Sequence, residues 1–429
     1  MRHHPIDPQL FSQNRDRLIE HLPQKCLAVI NANDLMPSNA DGTLPYHPNS
    51  DLFFLSGIEQ EESILLLHPG ASKASDRAHL FIRKPNPTLL IWEGYKLNKT
   101  DARKISGISQ VHWVEDFNAV FAKLARKVQG PFYLNDNEHQ RANNPVETRD
   151  QRFRNSLRNR YPKRKFLRLA PHMHALRFVK EPREIELIKK AVEVTTDTFK
   201  DVLPCIKPGV MEYEIEAEWA RAFISKRCKF AYSPIIASGE NACVLHYLQN
   251  DQPCKKGDLL LMDVGACYAN YNADLTRTVP VSGKFSRRQK QVYQAVLRVL
   301  QKSIAGATAG KEIKQWNAEA HEMMNEELVR LKLISLKDIK NQKPAKPACH
   351  KYFMHGLGHS LGLDVHDVSN GQTHFSDGAV FTVEPGIYIP EEGLGIRLEE
   401  NIVISADQPI NLTVEAPIDP NEIEERMNP

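Results

Sequence analysis

Four acids and one histidine in the C-terminal half, Asp263, Asp274, Glu384, Glu399 and His359, lie inside or at the ends of short apolar runs. Runs of that length read as buried strands or tight turns. A buried carboxylate is costly unless something strongly positive compensates it. Four of them in one interior demand cations, and two divalent ions would supply the charge. One imidazole among several carboxylates is a hard, oxygen-rich ligand set. The chain therefore reads as a dinuclear metalloenzyme.

Local spacing supports this reading. Asp258 to Ala266 has the composition of a strand, Ala269-Asn270-Tyr271 of a turn, and Asp274 to Pro280 of a returning strand. A hairpin centred near Tyr268 and Ala269 puts Asp263 directly opposite Asp274, roughly 5 Å apart at Cβ. Like charges so placed repel, which makes sense around a cation. Val380 to Glu384 and Gly395 to Ile404 suggest a second hairpin, turning at Glu391-Glu392-Gly393. Centred there, it sets Glu384 opposite Glu399, with Arg397 on the face of Glu399. A bulge at Pro385-Gly386 would disturb that register.

With 429 residues, the chain has room for two or three domains. A net charge of +3 is too small to argue for nucleic acid or an anionic membrane. The N-terminus has no apolar signal core, and no apolar run approaches a membrane span. Seven cysteines without a Cys-x-x-Cys pair suggest reduced thiols in a cytoplasmic protein. Cys349-His350 looks like a ligand pair but lies in a Lys/Pro-rich loop, and is expected to be incidental.

The fold class expected is α/β (α+β), divided into residues 1–173 and 174–429. In the first part a helix is expected over Gln13–His21, and strands over Cys26–Asn31, Asp51–Ser56, Ser63–His68 and Ala78–Ile82. Arg152 to Arg168, dense in Arg and Lys, reads as a solvated face or linker rather than a nucleic-acid patch. In the second part Glu181-Pro182-Arg183-Glu184 starts one helix and Ser286 with Gln289 caps another. Ile215, Trp219 and Phe223 mark the buried face of a helix between them. Helices alternating with long hairpins imply an antiparallel or mixed sheet covered by helices.

Five ordered motifs resemble the metallopeptidase family that contains aminopeptidase P and prolidase. They are Leu261-Met-Asp263-Val-Gly, Asn272-Ala-Asp274-Leu-Thr-Arg-Thr, His355-Gly-Leu-Gly-His359 running on to His366-Asp367, Thr382-Val-Glu384-Pro-Gly-Ile-Tyr388, and Gly395-Ile-Arg397-Leu-Glu399-Glu. A weaker likeness reaches the first part through Asn49 to Gly57 and Trp92-Glu-Gly94. The resemblance implies a pita-bread catalytic domain, with a curved, mainly antiparallel sheet, behind an N-terminal α/β domain that serves substrate access and oligomerisation. It implies that Asp274 and Glu399 bridge two metals, that Asp263 chelates one, and that His359 and Glu384 complete the other. Mn²⁺ is the expected ion, with Zn²⁺, Co²⁺ or Fe²⁺ able to occupy the same cage. His246 matches a substrate-side histidine, and His355 and His366 match histidines near the scissile bond. Arg397 and Tyr388 sit where the family supports the centre and the substrate.

Within that family the motifs are nearer the aminopeptidase P branch. That branch implies removal of an N-terminal residue from peptides with proline second, by a dimer or tetramer, with no nucleic-acid or membrane partner. Prolidase action on Xaa-Pro dipeptides is the nearest alternative. Trp92 fits either an oligomer interface or a half-buried core position. Gly358-His-Ser360-Leu-Gly362 also fits a serine-hydrolase elbow. A non-catalytic peptide-binding module is a further reading, although all five ligand positions are kept.

Overall fold

The computed structural model describes residues 3–139, 141–143, 145–343, 346–369 and 371–428. They fall into two compact units, His3–Arg177 and Phe178–Pro429. The first carries a six-stranded mixed sheet in the order β4-β3-β2-β1-β5-β6. Its strands are β1 (Leu27–Asn31), β2 (Ile64–Leu67), β3 (Ala78–Ile82), β4 (Gln110–Trp113), β5 (Phe132–Leu134) and β6 (Phe166–Arg168). The pairs β1–β2 and β2–β3 are antiparallel and the others parallel. Val29, Leu66, Phe81 and Phe132 from the sheet pack with Phe117, Phe121 and Leu124 of the helix Phe117–Lys127 in one core.

Three expectations for this unit need correction. Asp51–Ser56 is a helix, Ser50–Ser56, not a strand. Asn49 caps it by accepting from the Leu52 backbone N–H at 3.0 Å, and Gly57 ends it at φ +67°. A fully buried helical turn has no polar face, so its apolar run looks like a strand. Arg152 to Arg168 is the solvated face expected, with only Leu157 buried, but it is no linker. It runs through the helix Arg149–Arg160, capped by Thr148 and Gln151, into β6. The Arg164 guanidinium donates to the carbonyls of Ala125, Val128 and Gly130. Trp92 is 82% exposed, so the core placement is wrong.

The second unit wraps short antiparallel ladders with helices at Pro182–Val202, Glu212–Ser225, Arg287–Ala305 and Ile313–Arg330. Pro182 sits in the first turn behind a Glu181/Glu184 capping box, and Ser286/Gln289 forms another. Ile215, Trp219 and Phe223 are buried as their spacing predicts. The strands are β7 (Lys229–Phe230), β8 (Ile235–Ser238), β9 (Leu259–Asp263), β10 (Ala266–Tyr268), β11 (Tyr271–Asn272), β12 (Thr276–Pro280), β13 (Val380–Val383), β14 (Gly386–Ile389), β15 (Leu394–Arg397), β16 (Glu400–Val403) and β17 (Ile410–Asn411).

The first hairpin forms, but its register differs from expectation. Its turn is centred on Ala269 and Asn270, both at positive φ, which is the two-residue turn that suits the strand twist. Asp263 therefore lies opposite Thr276 rather than Asp274. Moving the centre by one residue shifts every pairing by two, which preserves the face. Asp263 and Asp274 remain on one side, as diagonal neighbours. The second hairpin has the expected register. The pairs Gly386↔Arg397 and Val383↔Glu400 flank the Glu384/Glu399 position, so Pro385-Gly386 introduces no net slip.

The two hairpins are stitched together. Asn401 Oδ1 accepts from the Asp274 N–H at 3.0 Å, and its Nδ2 donates to the Asp274 carbonyl. The Glu399 N–H donates to the Thr276 carbonyl at 3.1 Å. Arg277 and Glu400 form a buried ion pair at 2.6 Å alongside. These contacts bring the acid-bearing faces of both hairpins to a common place.

Candidate metal centre

Four of the five residues sit where a strand gives way to a turn or to another strand. Asp263 ends β9, Asp274 precedes β12, Glu384 lies between β13 and β14, and Glu399 between β15 and β16. His359 arrives on an irregular segment laid along β13. The Glu384, Thr382 and Leu361 N–H groups donate to the carbonyls of Leu357, His359 and Val380. Gly358 permits that approach, since a Cβ there would stand 2.0 Å from the Thr382 carbonyl oxygen.

Donor atoms of Asp274, His359 and Glu399 all lie within 4.8 Å of one another. His359 Nε2 is 3.5 Å from Asp274 Oδ2 and 3.6 Å from Glu384 Oε1. His359 Nδ1 is 3.1 Å from the Ser360 carbonyl, which places a proton on Nδ1 and turns Nε2 toward the acids. Asp263 joins through two partners. Its Oδ2 accepts from Arg397 Nη2 at 2.6 Å, and its Oδ1 from the Tyr232 hydroxyl at 2.6 Å. The same hydroxyl also reaches Asp274. Thr276 Oγ1 donates to Glu399 Oε2 at 2.7 Å.

His355 and Tyr388 form the adjoining wall. Arg397 Nη1 donates to the Tyr388 hydroxyl at 3.0 Å, so that hydroxyl donates onward to His355 Nε2 at 2.8 Å. Burial, with Arg397 close by, pushes His355 down to about 3 and keeps it neutral. The His366 ring lies against His359, centroids 4.1 Å apart. His246 is on an exposed stretch, close enough to His355 for its charge to disfavour the imidazolium there.

Sequence reasoning passed over Tyr232, Thr276 and Asn401. No local pattern announces them, because Tyr232 is 31 residues from Asp263 and Asn401 is 127 from Asp274. Ser360, the nucleophile of the serine-hydrolase reading, is 2% exposed, and its Oγ accepts from Lys180 at 3.4 Å. Its segment is bridged to β13 at Phe381, with no strand-to-helix elbow.

The electrostatics test whether a cation fits. Burial pushes Glu384 up to about 7, although His359 and Arg397 pull it down. Burial and the charge of Asp274 hold Glu399 well above the usual carboxylate range. Burial also raises Asp263 against the pull of Arg397. His359 is raised despite its burial, because Asp274 and Glu384 favour its charged form. Protein groups alone thus leave acids in this cluster short of positive charge, as an oxygen-rich cation site does before loading.

A pH dependence follows. The folded value for Glu384 lies above the free carboxyl's 4.5, so the folded protein keeps a proton that the unfolded chain has released. Stability of metal-stripped protein should therefore fall as pH rises from about 4.5 to 7, by on the order of 3 kcal/mol from this group. Urea midpoints of chelated wild type and Glu384→Gln at pH 5 and pH 7 check this. The variant should lack that share of the fall, and equal slopes in both proteins would contradict the assignment.

Such a donor set, in a mixed helix-and-sheet fold with antiparallel ladders, defines a metal-dependent hydrolase. The profile of metallopeptidase family M24 matches residues 186–406, and that of the aminopeptidase P N-terminal domain matches residues 11–133. The chain belongs to metallopeptidase family M24. It is 33% identical to Xaa-Pro aminopeptidase of Escherichia coli, over 98% of both chains. An aminopeptidase P candidate from Bacillus anthracis superposes with a TM-score of 0.91 at 34% identity, over 98% of each chain. Zinc-substituted E. coli aminopeptidase P in complex with product gives 0.89 at 31%, over 99% of each.

Proposed function

We propose that this chain is a metal-dependent Xaa-Pro aminopeptidase, releasing the N-terminal residue of peptides whose second residue is proline. The observation that carries the reading is the convergence of Asp274, His359 and Glu399 where the two hairpins meet, with Asp263 and Glu384 alongside. Full-length likeness to Xaa-Pro aminopeptidases supports the substrate class. Two divalent cations fit the donor set. Asp263, Asp274, His359, Glu384 and Glu399 would hold them. Mn²⁺ suits the carboxylate majority, while Zn²⁺, Co²⁺ or Fe²⁺ fit the same atoms. Free cysteines throughout the described residues agree with a reducing, cytoplasmic setting. No helix among the described residues is long and apolar enough to cross a membrane. The N-terminal unit would serve substrate access and assembly into a dimer or tetramer, with exposed Trp92 as a contact residue.

When bound, the cations supply Lewis acidity and lower the pKa of a water at the centre. The protein's own groups do the rest. Glu384, poised near neutrality, can take a proton and pass it to the leaving imino nitrogen. Both nitrogens of His355 are engaged, Nε2 by Tyr388 and Nδ1 by the Gly356 carbonyl at 2.9 Å, so it holds the Tyr388–Arg397 chain in place. His366 or His355 would donate to the developing oxyanion. His246 lies on the exposed, substrate side. Asp263, already paired to Arg397, receives the substrate's α-amine beside it, which explains exopeptidase action.

The test is a series of Xaa-Pro-Yaa, Xaa-Ala-Yaa and Xaa-Pro peptides before and after chelation. Only Xaa-Pro-Yaa should turn over well. Chelation should cost at least about a hundredfold, and Mn²⁺ should restore the rate. Preference for the dipeptide would make the chain a prolidase. Activity indifferent to chelation but blocked by a serine-directed phosphonate would overturn the metal assignment.

A further inference from the structure

A second group of ligand-type side chains shares no residue with the carboxylate centre and has no part in the chemistry above. Cys349 and His350 sit on a short 3₁₀ turn, Ala348–Lys351, and His321 projects from the helix Ile313–Arg330. One donor atom from each lies within 4.8 Å of the other two. The turn is held against the helix by Gln342. Its Oε1 accepts from the Ala348 N–H at 2.9 Å and from Asn325 Nδ2 at 3.3 Å. Asn325 is one helical turn from His321, so the two halves of the group are fixed relative to each other.

We propose that His321, Cys349 and His350 form a second, sulfur-containing metal site, for Zn²⁺ or another thiophilic transition ion, distinct from the oxygen-rich centre. Two imidazoles and a thiolate are the donors such ions select, whereas Mn²⁺ prefers carboxylates. Bonds of about 2.0–2.3 Å in a tetrahedron put donors roughly 3.3–3.8 Å apart. The donors, within 4.8 Å of one another, would draw in to that spacing on binding. The imidazoles meet edge to face, centroids 4.9 Å apart, and neither has a hydrogen-bond partner among the described residues. Both are half-buried, so an ion can enter from the histidine side while Cys349, fully buried, forms the floor.

Protonation states agree with this geometry. Burial and His350 hold His321 below its usual value, leaving a neutral imidazole ready to bind. Burial pushes the Cys349 thiol up to about 12, so without an ion it stays protonated and unreactive. Binding releases that proton to solvent and makes the Sγ–metal bond, with no change of oxidation state. Three protein donors leave a fourth position for water or an exogenous ligand. The sequence pair Cys349-His350, expected to be incidental, thus acquires a third partner through folding.

The test uses Co²⁺ as the probe on the full chain. The carboxylate centre contains no sulfur, so a near-ultraviolet sulfur-to-cobalt charge-transfer band reports only a thiolate site. The band should grow with about one equivalent of Co²⁺ beyond those the carboxylate centre takes, and Zn²⁺ should displace it. It should vanish in Cys349→Ser and weaken at least about tenfold in Co²⁺ affinity in His321→Gln. Mn²⁺-supported peptidase activity should persist in His321→Gln, showing that the fold is intact. No band in wild type, or an unchanged band in Cys349→Ser, would overturn the proposal.

Discussion

The Asp274→Asn protein is expected to fold, to lose peptidase activity by at least about a thousandfold, and to respond to metal with altered stability. The activity loss corresponds to about 4 kcal/mol of barrier. Asp274 lies between Tyr232 and His359 and shares its cluster with Glu399, so its carboxylate is central to the proposed cage. An amide keeps the shape and the Tyr232 contact but removes one of the four carboxylates. Without metal that relieves repulsion, and the variant should be more stable than wild type by about 1 kcal/mol. With metal the order should reverse. Wild type gains stability in proportion to the logarithm of ligand over dissociation constant, and the variant gains little. Melting temperatures of both proteins, chelated and with excess Mn²⁺, read the two signs in one experiment. A variant with full activity, or with the Mn²⁺ stabilisation of wild type, would falsify the role given to Asp274.

Removing the Lys180 ammonium should cost about 3–5 kcal/mol, the largest stability effect expected of a single side chain away from the centre. Lys180 Nζ is 3.0 Å from Asp367 Oδ2, with the two side chains 2% and 1% exposed. The Asp367 N–H donates to the Ser360 carbonyl at 2.8 Å, and Asp367 Oδ1 accepts from the Val368 N–H at 2.9 Å. The ion pair thus anchors the loop that carries His366 to the segment that carries His359. Lys180→Met removes the ammonium 3.0 Å from the buried Asp367 carboxylate, and the loop that carries the neighbouring His366 loses that contact. Activity should fall together with stability. The double variant Lys180→Met/Asp367→Asn should recover most of the lost stability, since no buried charge is then left uncompensated. Urea unfolding of the two singles and the double closes the cycle. Singles within about 0.5 kcal/mol of wild type, or a double as unstable as the sum, would show that the pair does not hold this loop.

The two hairpins show how far local reasoning reaches. In the second, Gly393 at φ +58° follows Pro390–Glu392, and the turn chemistry around Glu391 placed Glu384 against Glu399 without reference to anything distant. In the first, Ala269 and Asn270 both adopt positive φ. A non-glycine residue such as Ala269 seldom does so, and composition alone put the turn one position early. The error did not move either aspartate to the other face, because strand side chains alternate with a period of two. Asp51–Ser56 failed for a different reason. A short apolar run carries no periodicity once every side is buried, and the deciding signals were single residues at its ends, Asn49 and Gly57.

What the sequence determined by itself was the chemistry: which acids and which imidazole sit in apolar surroundings, which strand face each shares, and that together they call for cations. Those properties are local, set by side-chain alternation and by the cost of desolvating a charge. Tertiary structure alone decided which atoms meet. It delivered the Tyr232 hydroxyl to Asp263 and Asp274, the Asn401 amide to the Asp274 backbone, Lys180 to Asp367 and His321 to Cys349 and His350. Each of these contacts joins residues tens to hundreds of positions apart, where pairing depends on how whole elements pack and no short-range pattern in the chain encodes it.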